Sequence, residues 1–557
     1  MELLYIILAA LVILVIKSIY DSKNNRKLLA LKLKNNWGKA LNHNYSVEQL
    51  YSIGFYYRSK SNLELDIDTI TWEDLDFEEI YLLINNTASS VGEEYLYSIL
   101  KNLSFDEKVL RERNSLIEFF EQNPEKAIEL QIVLSYLGKI QNISIYEYIN
   151  YFYNVRRDST AAHIGMAIGL IASILLIFIQ PAIGGILTFI MVCNNVLRYY
   201  SRKGEIDSYI TVSSYIIRML DSIKSITKLH IKEIKPYCDE LESIYTKFKS
   251  FKRGSKYVAA KSPNGDLGDV ILDYIRILFH IDLIKFNGML DNIHKNRDNL
   301  NRMFEIVGLI DSMIAVASFR TMIPYYSIPK LVHKKEPLLH VEELFHPLIT
   351  EPIPNSIEVR DCVLITGSNA SGKSTFLKSV AINAILSQTI FTSLSKSYEA
   401  SYFQIASSMA LRDDIFSKES YYIVEIKSLK RILDKGNEEI PTLCFVDEVL
   451  RGTNTLERIA ASSQILYNFS IRNFLCFAAT HDIELTYILE NYYKNFHFKE
   501  EIMDNDIHFD YKLHSGRAVS KNAIKLLSIM GYSDDIIDKA IELCNSFLED
   551  GNWNTIK

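Results

Sequence analysis

The chain has 557 residues, 48% of them hydrophobic and 23% charged, which excludes a disordered or fibrous protein and leaves room for about three domains. Its formal charge is −7, from 61 basic and 68 acidic residues, so a surface that grips nucleic acid throughout is excluded and any such contact must be local. The six cysteines, Cys193, Cys238, Cys362, Cys444, Cys476 and Cys544, form no C-x-x-C pair and read as reduced core thiols.

In chain order, the first element is Leu3 to Ile16, fourteen apolar residues in a row. That is short of the ~17–25 that span a bilayer, but Lys17 can snorkel and Ile19 and Tyr20 extend the run. The start, Met1-Glu2, is not basic, and the run ends in Lys-Ser-Ile-Tyr-Asp, which is no cleavage site. Residues 1–20 therefore read as an uncleaved anchor. Lys17, Lys23, Arg26 and Lys27 put the chain beyond the anchor on the cytoplasmic side. Residues 21–155 then read as a first helical segment.

From Ala161 to Leu197 no residue is charged unless His163 is protonated. Gln180-Pro181 breaks the run, because proline cannot continue a helix. Residues 156–203 are thus expected to form a transmembrane hairpin, with Arg156 and Arg157 before it and Arg198, Arg202 and Lys203 after it on the cytoplasmic side. A core hairpin of a soluble protein is the competing reading, and so long a run without charge favours the membrane.

Residues 204–343 read as long helices. Lys247, Lys249, Lys252, Arg253, Lys256 and Lys261 cluster there, interleaved with Phe248, Phe251 and Tyr257. A solvated helix face, an anionic-lipid contact and a phosphate-backbone contact to DNA all suit this cluster.

Residues 344–557 carry the chemistry. Val363 to Thr375 reads Val-Leu-Ile-Thr-Gly-Ser-Asn-Ala-Ser-Gly-Lys-Ser-Thr, a G-x-x-x-x-G-K-[ST] motif between a strand-like run and a helical stretch, Phe376 to Ser387. Gly367 and Gly372 let the backbone wrap phosphates, and the amides of Ser368, Asn369, Ala370 and Ser371, with the helix N-terminus, receive negative charge. Lys373 is expected to reach the β- and γ-phosphates, and Ser374 to offer a hydroxyl to Mg²⁺ beside Thr375. A second buried run, Thr442 to Val446, ends in Asp447-Glu448. Asp447 is expected to hold Mg²⁺ through its water shell, and Glu448 to polarise the attacking water. A third run, Phe474 to Thr480, ends in His481, at the strand edge where open α/β sheets bind ligands.

These residues resemble the MutS family of ATPases, relatives of the ABC ATPases. The resemblance rests on Gly367 to Thr375, Ser420-Tyr-Tyr-Ile-Val-Glu425, Asp447-Glu-Val-Leu-Arg-Gly-Thr-Asn-Thr455 and Ala479-Thr-His481. His346-Pro347 resembles the entry into the family's domain. Phe509 to Gly516 and a helix from Ser533 to Leu543 resemble its tail. More weakly, Asn85 to Gly92, Leu96 to Leu100, Arg111 to Ile117 and Val307 to Phe319 resemble the family's helical core. The resemblance implies an α/β P-loop ATPase domain on a mainly α-helical core and lever region with transmembrane helices. It further implies ATP and Mg²⁺ as ligands, catalysis by Glu448, His481 and Lys373, and a homodimer through the ATPase domain. Ser420 is then expected to reach the partner's ATP, a role compatible with capping its own helix, while Arg451, Gly452, Thr453, Asn454 and Thr455 line the dimer seam.

The chain also departs from the family. The P-loop reads Gly-Ser-Asn-Ala-Ser-Gly where the family has Gly-Pro-Asn-Met-Gly-Gly. Leu450 stands where the family has glycine. No aromatic near Ile353 offers a face to adenine. No segment resembles the mismatch-reading or clamp domains. The expected function is a membrane-anchored, MutS-like ATPase of the cell membrane with its ATPase domain in the cytoplasm, of DNA-repair type, coupled to a protein partner. DNA is expected to bind weakly and without mismatch preference. An ABC-type transporter half and an ATP-gated scaffold are the alternatives.

Overall fold

The computed structural model describes residues 21, 24–60, 65–151, 159–252, 274–368, 371–409, 421–436, 438–451, 453–503, 506–518, 524, 527, 530–551, 553 and 555. The expected anchor (1–20) and the cluster residues Arg253, Tyr257, Lys256 and Lys261 lie outside them, as do Asn369, Ala370, Ser420 and Gly452 of the site. The described residues fall into two compact units, one from 1–61, 81–101 and 111–324, the other from 62–80, 102–110 and 325–557.

The first unit is helical. Helix Ser90–Lys101 lies against helix Arg297–Met322, with Val91, Leu96, Ile99 and Leu100 in the core. Glycine lets the two approach: a Cβ on Gly308 would stand 2.6 Å from Tyr95 Cβ. The free amides at the start of helix Ser90–Lys101 are met by a carboxylate from the other helix. Asp311 accepts from Ala88 N at 3.0 Å, Ser89 N at 3.0 Å and Ser89 Oγ at 2.6 Å. Burial raises this carboxyl to about 6 although those donors pull it down.

The apolar run forms helices Thr160–Ile177 and Pro181–Thr227, with Pro181 at the first turn of the second, where its missing N–H costs nothing. Only 17% of each apolar window is buried, and Ile168, Leu175, Phe178, Ile186, Phe189 and Leu197 are exposed. The expected boundary at 203/204 falls inside the second helix, which runs 47 residues without a break. Its later part turns a 3–4-spaced stripe inward: Val212, Tyr215, Ile216, Met219, Leu220, Ile223 and Ile226 are all buried. With no proline or glycine after Gly204, nothing in the sequence ends the helix at the apolar limit.

The second unit carries two sheets. Strands β1 (Lys330–Val332), β2 (Leu339–Leu344), β3 (Asn355–Val359) and β5 (Ser397–Ser401) form one, in the order β1-β5-β2-β3. Strands β4 (Cys362–Thr366), β6 (Gln404–Ser408), β7 (Thr442–Asp447), β8 (Phe474–Thr480), β9 (Tyr493–Met503) and β10 (Asp506–Ser515) form the other, in the order β10-β9-β4-β8-β7-β6. All neighbours in the larger sheet are parallel except β9 and β10. Strands β4, β7 and β8 are near-continuous apolar runs because helices cover both faces. Cys362, Cys444 and Cys476 pack in this core as small apolar groups.

Two boundaries differ from the expectation. Strands β1 and β2 begin before residue 344, and the unit starts at Tyr325. Residues 62–80, expected with the helical core, belong here because β6 is an edge strand. Helix Thr69–Asp74 occupies the hydrogen-bonding groups of that edge. Thr71 Oγ1 accepts from Ser407 N at 3.0 Å, and the Asp74 carboxylate accepts from Ser407 Oγ at 2.6 Å and Met409 N at 2.9 Å.

Candidate functional site

Parallel register brings three strand ends together. Strand β8 lies between β4 and β7, with Thr366 opposite Thr480 and Asp447 opposite Ala479. The residues that follow each strand, Gly367, Glu448 and His481, therefore emerge side by side at one edge of the sheet.

The P-loop joins β4 to helix Lys373–Thr389, which starts three residues earlier than the sequence pattern and ends two later. The first turn needs no apolar periodicity because Gly372, at φ 106°, sets it. A Cβ on Gly372 would come within 3.2 Å of the Tyr511 ring. The Lys373 ammonium donates to the carbonyls of Gly367 at 2.8 Å and Ser368 at 2.7 Å. Burial lowers this lysine to about 8, although Asp447 opposes the shift. Ser368, in place of the family's proline, hydrogen-bonds the Glu500 carboxylate of β9.

Ser374 Oγ donates to Asp447 Oδ2, while Asp447 Oδ1 is buried and has no hydrogen-bond partner among the described residues. A hydroxyl beside a carboxylate with a spare buried oxygen is a hard-oxygen donor set that fits Mg²⁺. The Ser371 hydroxyl is likewise buried without a partner among them.

Glu448 sits at φ 56°, a left-handed conformation that costs a non-glycine residue about 1–3 kcal/mol. Its amide is held by the Ala479 carbonyl of β8 at 2.9 Å. Oε1 lies 3.0 Å from His481 Nε2, and Oε2 pairs with Arg451. A carboxylate only accepts, so His481 carries its proton on Nε2. Burial lowers the His481 pKa, and the nearby Lys373 and Arg451 charges add to the effect. Of the expected seam loop, Asn454 caps helix Thr455–Ser470 through Leu456 N at 2.9 Å. Arg451 turns to Glu448.

A cavity of about 540 Å³ opens from Ser371–Thr375 and Glu448 onto an apolar side. That side holds His346, Ile349, Ile353, Phe498 and Tyr511. The sequence marks Ile353 only as a place without a stacking aromatic and His346 only as the entry to the domain, and it does not point to Phe498 and Tyr511 as lining residues, which arrive from the β9–β10 hairpin. Tyr511 stands at φ 52° where the register of β10 shifts. Asn355 pins the bulge, donating to Tyr511 O at 3.0 Å and accepting from Leu513 N at 2.7 Å. The sequence places Glu425 in the Ser420–Glu425 motif without a role; in the structure it is 3% exposed and caps the amide of Leu450.

Residues 363–548 match MutS domain V. The chain is 26% identical over 331 residues to a DNA mismatch repair protein MutS of Clostridium botulinum strain Hall, covering 57% of this chain and 35% of that protein. It is 28% identical over 330 residues to human MutS protein homolog 4, covering 55% and 34%. The chain thus spans about a third of the length of these relatives. Over these stretches the chain is similar to MutS proteins, and its C-terminal α/β unit matches MutS domain V.

Proposed function

We propose that this protein is a membrane-anchored, homodimeric ATPase that hydrolyses ATP at the edge of β4, β7 and β8. The observation that carries this is the convergence of Lys373, the Ser374–Asp447 pair and the Glu448–His481 pair on one cavity with an apolar far side. Phosphates would take over the ammonium hydrogens of Lys373 now given to Gly367 and Ser368. Ser374 and Asp447 would hold Mg²⁺, whose charge offsets that of the phosphate oxygens. Glu448 would accept a hydrogen bond from the attacking water while His481 fixes the carboxylate. Tyr511 and Phe498 would offer aromatic faces to the base, which supplies the stacking partner not evident near Ile353. A second copy would complete the site through Ser420 and the 451–455 loop.

The test pairs two variants in the full chain. Lys373→Ala is expected to lose nucleotide binding, and Glu448→Gln to bind ATP but turn over at least a hundredfold slower. Wild-type turnover by Glu448→Gln would sink the assignment.

DNA enters through the relatives named for mismatch repair. For this chain we propose weak, salt-sensitive duplex binding without mismatch preference, given a net charge of −7. A competition titration at physiological salt checks this: a preference of about tenfold or more, ~1.4 kcal/mol, for mismatched duplex would overturn it.

A further inference from the structure

We infer that Glu425 is a positioning residue for hydrolysis, holding the turn that presents the Glu448 carboxylate; the inference rests on the role of Glu448 proposed above. The turn from Glu448 to Leu450 is unusual because two of its three residues are left-handed without being glycine: Glu448 at φ 56° and Leu450 at φ 60°. Leu450 is both bulky and strained, the combination least able to hold that conformation unaided. Its side chain is 1% exposed in the core of the larger sheet, with Val449 beside it at 3%. The side chain therefore cannot swing out to relieve the backbone without opening the core.

Three hydrogen bonds from outside the turn hold it. Glu448 N donates to Ala479 O of β8 at 2.9 Å. Val449 O accepts from Ser462 Oγ at 3.3 Å. The third is Leu450 N to Glu425 Oε1, and it is the only one of these whose acceptor is a charged side chain. Glu425 lies one turn into helix Tyr421–Lys435 and is 3% exposed. Burial pushes this carboxyl up, while the amides of Leu450 and Arg451 and the Arg451 charge pull it back. Glu425 thus places a buried acceptor oxygen on a strained amide, and it is the position of that oxygen that holds the turn. Loss of it would free Leu450 to leave the left-handed region, and Glu448, two residues earlier, would lose its place between His481 and Arg451. A displacement of about 1 Å there is enough to cost a large part of turnover. Nucleotide binding would be spared, because Lys373, Ser374 and Asp447 sit on other anchors.

The same helix is fixed at its far end by Arg431 and Lys435 on Asp68, the latter pair at 2.8 Å. Glu425 is therefore offered from a helix that is itself held in place.

The experiment compares Glu425→Asp with Glu425→Gln in the full chain, reading ATP affinity and single-turnover hydrolysis. Asp keeps the charge but withdraws the oxygen by one methylene, so turnover is expected to fall at least tenfold with ATP affinity within about twofold of wild type. Gln keeps an acceptor in place without the charge and is expected to stay within about threefold. Wild-type turnover by Glu425→Asp, or a Gln variant as slow as the Asp variant, would overturn the positioning role. So would a loss of ATP affinity that matches the loss of turnover. Glu448→Gln run alongside separates the two levels: if it hydrolyses normally the underlying site reading fails, and if it is inactive while Glu425→Asp is normal only this inference fails.

Discussion

The lysine of the P-loop shows how one residue ties burial to ligand chemistry. Among the described residues its ammonium donates to the carbonyls of Gly367 and Ser368, and burial lowers its pKa to about 8 from an ordinary 10.5 although Asp447 and Glu500 oppose the shift. Triphosphate beside it favours the charged form. Below pH 8 the lysine is already protonated and ATP affinity should not vary on its account. Above pH 8 the free protein has lost that proton and must recover it on binding, so affinity should fall by up to about tenfold per pH unit as pH rises toward the bound-state pKa. Titrating ATP binding from pH 7 to 9.5 checks this, and Lys373→Arg should abolish the trend because a guanidinium stays charged throughout. A flat profile in the unsubstituted protein would contradict the lowered pKa. Residues such as Lys373, Asp447 and Glu448 stand out in the sequence because each follows or ends a short apolar run, and the structure brings the ends of those strands together. The contacts of Tyr511 and Glu425 were not legible, although both residues lie in motifs of the sequence. Tyr511 reaches the cavity only through a bulge in β10, and Glu425 meets Leu450 across 25 residues of chain.

At the scale of elements, the larger sheet was readable from its apolar runs, but its edge was not. A six-residue helix, Thr69–Asp74, carries no periodicity that ties it to a strand more than three hundred residues away. Its place is set by hydrogen bonding: β6 presents unpaired backbone groups, and Thr71 and Asp74 answer them. Asp74 is 3% exposed and accepts from Ser407 Oγ and Met409 N. Asp74→Ala would leave the buried Ser407 hydroxyl unmet and the half-buried Met409 amide without its acceptor, at a cost of about 1–3 kcal/mol to this unit. Denaturant unfolding in the presence of ATP should register that loss, with Asp74→Asn milder because its carbonyl oxygen still accepts. An unchanged midpoint for Asp74→Ala would mean the edge is not held by this helix. Asp68 gives the helix a second hold, capping Thr71 N at 2.9 Å while pairing with Arg431 and Lys435.

At the scale of the whole chain, the apolar hairpin sets the question of where the protein works. Its two windows are 18 and 22 residues long, which at about 1.5 Å per residue give ~27 and ~33 Å, close to the ~30 Å of a hydrocarbon core. Burial inside the protein does not explain their composition, because 17% of each window is covered. Exposed apolar side chains on both helices are what the proposed membrane insertion would cover. The missing charges in the sequence mark the apolar helices Thr160–Ile177 and Pro181–Thr227 but not the end of the second, since no local signal stops that helix where its apolar stretch ends. Here the second helix continues from Arg202 to Thr227 and buries Val212 to Ile226 in the helical unit, so the hairpin is joined to that unit by unbroken helix. We therefore expect the protein to resist carbonate extraction and to expose the turn at Gln180 on the far side of the membrane from the helical unit. After replacement of Cys193 and Cys544, a membrane-impermeant thiol reagent added outside intact cells should label Gln180→Cys. It should label Ser243→Cys, an exposed site on helix Lys235–Lys247, only after the membrane is opened. Equal labelling of both sites in intact cells, or release of the protein by carbonate alone, would mean that something other than lipid covers the hairpin.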